Sequence, residues 1–194
     1  MKRFALIILL AAVVGSPLSA QATVIYPEQP LEPNRARVRD AVYILRDTLQ
    51  PVLASIASLE RDFRKTSPQL MTSRARTLVT HCAAAVRNVA PTRAVVVETR
   101  VAGKSAVETR LKQAQHTRLQ AQLDSLELSL TRCVTVFTRL SRPENAEEMR
   151  GYGNRRAQPL RKGILAYDEA VDGFFRAMEI PHRPLGAGPA PLAG

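Results

Sequence analysis

Cys82 and Cys133 are the only two cysteines in the chain, and they are the residues whose type most directly implies chemistry. A redox-active pair needs a tuned thiolate, usually within a C-x-x-C motif, and 50 residues separate these two. A structural disulfide is the expected pairing if the chain is exported; two buried free thiols are the alternative. His81 precedes Cys82 and so points about 100° away from it on a helix. His116 and His182 stand alone. No H-x-x-x-H, E-x-x-H or C-x-x-C-H occurs, so the usual zinc, di-iron and c-haem ligand sets are missing, and neither metal nor cofactor follows from these residues. Asp168, Glu169 and Asp172 form one carboxylate cluster and Glu144, Glu147 and Glu148 another, at spacings typical of a solvated helix face. There is no G-x-S-x-G, Walker or G-x-G-x-x-G sequence.

Positive charge is the other chemical resource. The chain holds 28 Lys and Arg against 17 Asp and Glu, a net charge of +11. From Phe63 to Val97 no acid occurs, while Arg64, Lys65, Arg74, Arg76, Arg87 and Arg93 do. From Met149 to Tyr167 there is again no acid, and Arg150, Arg155, Arg156, Arg161 and Lys162 surround Gly151-Tyr152-Gly153. This second stretch reads as a flexible basic loop with one exposed aromatic. Arg74, Arg76, Arg150, Arg155, Arg156, Arg161 and Lys162 are therefore the candidate anion-binding residues, for phosphate, lipid headgroups, acidic polymer or nucleic acid. The competing reading is solvated arginines neutralised by acids of neighbouring helices. Arginine makes bidentate contacts with phosphate and carboxylate, although its excess over lysine also follows from genomic base composition.

These residues have to be positioned by helices. Val38, Val42, Leu45, Leu49, Val52, Ile56, Leu59 and Phe63 recur at spacings of four and three, a heptad seam along one helix with an expected kink at Pro51. A second seam follows the Ser67 cap and Pro68: Met71, Ala75, Leu78, Cys82, Ala85, Val89. A third helix opens on a Ser105/Glu108 capping box and reads Leu119, Leu123, Leu126, Leu130, Cys133, Phe137, Leu140. Its earlier apolar residues, Val107, Leu111 and Ala114, are out of phase, which implies a stutter or a change of facing partner. A fourth seam, Leu160, Ile164, Tyr167, Val171, Phe174 and Met178, is expected to start at Pro159 and stop at Pro181, with Pro143 to Arg150 as a short extra helix ended by Gly151. Four such faces bury one another, so the expected fold is all-α: a four-helix bundle with left-handed heptad-type packing over residues 34–180.

Residues 91–103 fit an extended connector or a helical continuation equally well, and this matters for the cysteines. In a simple hairpin, positions 82 and 133 meet only if the turn is centred near 107, whereas the Ser105 cap puts it near 103. The offset of about eight residues is about 12 Å at 1.5 Å per residue, beyond the ~7 Å between Cα atoms that a disulfide tolerates. The connector has to spread, or the third helix has to slide or bend, for the bridge to close.

The ends set the cellular context. Lys2 and Arg3 precede an apolar run from Phe4 to Val14, and Ala20-Gln21-Ala22 supplies an A-x-A cleavage site, so residues 1–22 are read as a signal peptide of bacterial-envelope type. Residues 23–33 are Pro-rich and expected to be an extended arm; residues 181–194 are expected to be a flexible tail. No later stretch is apolar enough for a transmembrane segment. The expected location is periplasmic or secreted. Three functions fit. The first is a non-catalytic envelope interaction or scaffold module contacting an envelope protein. The second is an anion-binding module contacting an anionic envelope polymer, a lipid headgroup or nucleic acid. The third is a small-molecule carrier or enzyme with a site inside the bundle.

Overall fold

The structure is a computed structural model that describes residues 31–61 and 65–181. The signal peptide, most of the N-terminal arm, His182 and nearly all of the tail lie outside the described residues, as do Phe63 and Arg64. Four α-helices follow one another: α1 Pro33–Glu60, α2 Pro68–Glu98, α3 Ala106–Leu140 and α4 Ala146–Ala177, with a single 3-10 turn at Pro143–Asn145 leading into α4. Among the described residues there is no strand.

Local sequence accounts for the helix starts. Ser67 accepts from the Leu70 amide at 3.3 Å and Ser105 from the Glu108 amide at 3.1 Å, each satisfying an otherwise unpaired donor of the first turn. Glu108 reaches back to the Lys104 amide, one residue before the cap, at 2.8 Å. Pro33 and Pro68 occupy first-turn positions where a missing N–H costs nothing.

The helices alternate in direction. Arg37 meets Glu98 and Thr92 meets the Ala41 carbonyl between α1 and α2; Arg139 meets Glu148 and Arg118 meets Glu169 between α3 and α4; Arg35 meets Glu179 at the far end of the α1–α4 seam. Every described residue of the four seams is buried, and together they form the core. This establishes the all-α four-helix bundle with heptad-spaced core faces. Helices α2 and α4 approach across the diagonal more closely than α1 and α3. The side chains they bring inward are small, Ala75, Ala85 and Cys82 from α2 and Gly153, Ala157 and Ala170 from α4.

Two places go beyond the sequence-based expectation: α4 departs from it, and residues 91–103 resolve an alternative it left open. Helix α4 starts at Ala146, not Pro159, and runs through Gly151, Gly153 and Pro159. Residues 150–162 are therefore helical rather than a flexible loop. Their core face is made of Met149, Gly153, Ala157 and Leu160, and a Cβ on Gly153 would come within 2.7 Å of the Met149 sulfur, so glycine is what lets Met149 fill that layer.

The second concerns 91–105. Helix α2 continues through Pro91 to Glu98, with Val96 extending its seam, and only residues 99–105 are non-helical. With Cys82 opposite Cys133, Glu98 lies level with about residue 117, so α3 overhangs α2 by about 11 residues, or about 16 Å. Seven extended residues reach up to about 23 Å, which is enough to climb that distance. The overhang is held by the connector: the Gly103 amide donates to Thr109 Oγ1 at 3.0 Å, and the buried Lys112 ammonium binds Glu108 at 2.7 Å and donates to the Ala102 carbonyl at 3.4 Å. Val107 and Leu111, the out-of-phase residues, are 78% and 58% exposed on this overhang. The phase slip marks the part of α3 that has no α2 beside it.

Candidate functional site

Cys82 and Cys133 lie in the core with Cα atoms 6.5 Å apart and form a disulfide between α2 and α3. The spread connector is what brings them together.

The two described histidines bridge helices. His81 Nδ1 sits 2.8 Å from Ser55 Oγ and 3.1 Å from the Pro51 carbonyl, tying α2 to α1. His116 Nε2 donates to the Val96 carbonyl at 2.6 Å, and its ring lies 5.6 Å from that of Phe174. The carboxylates are engaged in ion pairs: Asp168 with the buried Arg46, Glu169 with Arg118, Asp172 with Arg176, and Glu148 with both terminal nitrogens of Arg139 at 2.6 and 2.9 Å. The Arg139 guanidinium holds the Glu148 carboxyl below the usual glutamate range, with a smaller contribution from Arg156. Burial pushes the Tyr167 phenol up. Among the described residues no group of three His, Cys, Asp or Glu side chains is arranged to hold a metal ion, and no helix is long and apolar enough to cross a membrane. A groove of about 350 Å³ lies on the outer α1–α2 seam beside Pro91, lined by Ala41, Ile44 and Val95 with Arg37 and Asp40 at its edge, and not among the four helices.

The candidate anion-binding residues separate into two groups. Arg74 donates to the Ser58 and Arg61 carbonyls at 2.7 and 3.3 Å, and Arg76 to the Ser141 carbonyl at 3.3 Å. Both cap the C-terminal ends of neighbouring helices, where the helix dipole favours a cation. Arg93 pairs with Asp124 and Glu127 of α3. Helix α2, acid-free up to Glu98 at its end, thus uses three of its arginines to bind its neighbours. Arg161 pairs with Glu60 at 2.7 Å, and Arg150 lies 3.9 Å from Glu147.

Arg155, Arg156 and Lys162 make no ion pair among the described residues, and all three are exposed. The antiparallel register that pairs Arg139 with Glu148 and sets Gly163 against Ser129 brings a second set of cations level with them on α3. Arg132 lies level with Arg156, and Arg142 follows just past the end of α3; both are exposed and make no ion pair among the described residues. No acid occurs from Leu128 to Pro143, at the end of α3 and in the turn after it, or on α4 from Met149 to Tyr167. Two acid-free stretches distant in sequence therefore lie side by side, with Glu148 neutralised at their edge by Arg139. Sequence reasoning found only the α4 half. The signal for the other half, a run from Leu128 to Pro143 without an acid, was present but became meaningful only once the register was known.

No protein-family model, curated protein or solved structure matches this chain.

Proposed function

We propose that this protein is an exported, non-catalytic interaction module, and that it contacts anionic material of the cell envelope through the outer flank of α3 and α4. The observation that carries the reading is the juxtaposition of Arg132 and Arg142 with Arg155, Arg156 and Lys162 across two acid-free stretches, with Glu148 at their edge paired to Arg139. Unpaired guanidinium groups on a rigid helical face are pre-organised for bidentate contact with phosphate or carboxylate. Because Arg132, Arg155, Arg156 and Lys162 sit on helices, binding orders no backbone at these four.

Export is supported by the disulfide, which persists in an oxidising compartment, together with the leader-like residues 1–22. The mature N-terminus is then Thr23. Lys2 and Arg3 leave with the leader, so the 28 basic residues fall to 26 against 17 acidic ones and the net charge is +9.

Calorimetric titration with long-chain inorganic polyphosphate tests the anion reading. Four or five neutralised phosphates give a log–log salt slope of about −4, so affinity falls on the order of a hundredfold between about 50 and 200 mM salt. Absence of binding at low salt, or binding indifferent to salt, contradicts it.

A further inference from the structure

The same flank carries a second feature that a soluble polyanion does not need. Leu128 and Tyr152 are 53% and 54% exposed, and each stands one helical turn from an unpaired cation: Leu128 before Arg132, and Tyr152 before Arg155 and Arg156. Leu128 and Tyr152 therefore share the α3–α4 flank with Arg132, Arg155, Arg156 and Lys162, over about 15 Å of α4 from Tyr152 to Lys162.

We infer that this flank docks on a lipid leaflet containing anionic headgroups, with α3 and α4 lying in the plane of the membrane surface. The inference rests on the anion-binding reading and specifies its partner. Arg132, Arg155, Arg156 and Lys162 meet the phosphates, each contributing about fivefold in partitioning, while Leu128 and Tyr152 enter the boundary between headgroups and acyl chains. Tyrosine suits that depth because its ring is apolar and its hydroxyl stays hydrated.

The test uses the chain from Thr23 to Gly194, which omits the apolar leader and contains every described core residue. Co-sedimentation with phosphatidylcholine vesicles containing phosphatidylglycerol is compared with pure phosphatidylcholine vesicles, and calorimetry with inorganic polyphosphate runs alongside. The expected result is binding only to the anionic vesicles. The double variant Leu128→Ser with Tyr152→Ser lowers vesicle partitioning roughly tenfold and leaves polyphosphate affinity unchanged. Arg132→Gln with Arg155→Gln lowers both. Retained polyphosphate binding without vesicle binding, or vesicle binding unaffected by the Leu128/Tyr152 variant, overturns the lipid inference while leaving the anion reading in place. Loss of both binding activities in the wild-type chain overturns the two together.

Discussion

Replacing Cys82 and Cys133 by alanine opens a loop of 51 residues that the disulfide otherwise closes in the unfolded chain. On the chain-entropy account the bridge removes about 14 cal/mol/K from that ensemble, about 4 kcal/mol at 25 °C. The local packing change is small, since both side chains are buried and alanine removes a single atom from each. For a helical unit of this size the loss corresponds to roughly 8–16 °C in melting temperature. The assay is thermal unfolding followed by far-ultraviolet circular dichroism, comparing the oxidised protein, the reduced protein and the double-alanine variant. Trypsin digestion without reduction identifies the bond independently: Thr77–Arg87 and Cys133–Arg139 should appear as one linked species. Separate alkylated peptides, or a reduced protein melting within about 2 °C of the oxidised one, would refute the register derived for α2 and α3, because only the overhang of α3 lets these cysteines meet.

Further outcomes follow from the helices and their contacts. Gly151→Ala should stabilise the fold by about 1 kcal/mol, since a Cβ there meets nothing within 4 Å and the position is an exposed helix interior; destabilisation in a chemical denaturation curve would restore a loop at 150–162. Gly103→Ala should destabilise by about 1–3 kcal/mol, because its Cβ would lie 2.7 Å from the Thr109 backbone nitrogen and force the connector off α3. Asp168→Asn should cost about 3 kcal/mol by stranding the buried Arg46 charge, and Arg46→Met combined with Asp168→Leu should recover most of it in the same denaturation assay. The carboxyls of Glu108 and Glu148 are held below the ordinary glutamate range, chiefly by hydrogen bonds from Lys112 and Arg139. Their contribution to stability is therefore present at neutral pH and lost as pH falls through the acid range. Melting temperatures measured between neutral and acid pH should fall less steeply for Glu108→Gln with Glu148→Gln than for wild type.

The heptad seams were legible because Leu, Val, Ile and Phe at spacings of four and three leave little choice of period. The first part of α4 was hidden for the opposite reason. Its inward positions are Gly153 and Ala157, its surface includes Gly151 and Pro159, and a seam built from small residues has no hydrophobic signature. The overhang left a trace in the misphased Val107 and Leu111, but its meaning depended on how far residues 99–105 extend. The disulfide partners were readable by elimination, whereas the distance between them was not, since register comes from connector geometry. Of the basic residues, Arg74 and Arg76 illustrate what composition conceals: the acid-free start of α2 is complemented by carbonyls at the ends of α1 and α3, which no charge count reveals. Arg132 and Arg142 illustrate the converse, a surface assembled across two helices from runs that look unremarkable separately.

The central claim is that anionic material is bound by one flank of the bundle and not by net charge spread over the molecule. Calorimetry with inorganic polyphosphate can separate the two by comparing variants of equal charge. Arg132→Gln with Arg155→Gln removes two cations from the α3–α4 flank; Arg87→Gln with Arg110→Gln removes two exposed cations, without ion pairs among the described residues, from α2 and the α3 overhang. The account predicts that the first variant lowers affinity at least tenfold at low salt and flattens the log–log salt slope by about two, while the second binds as wild type does. Equal losses in the two variants would contradict it.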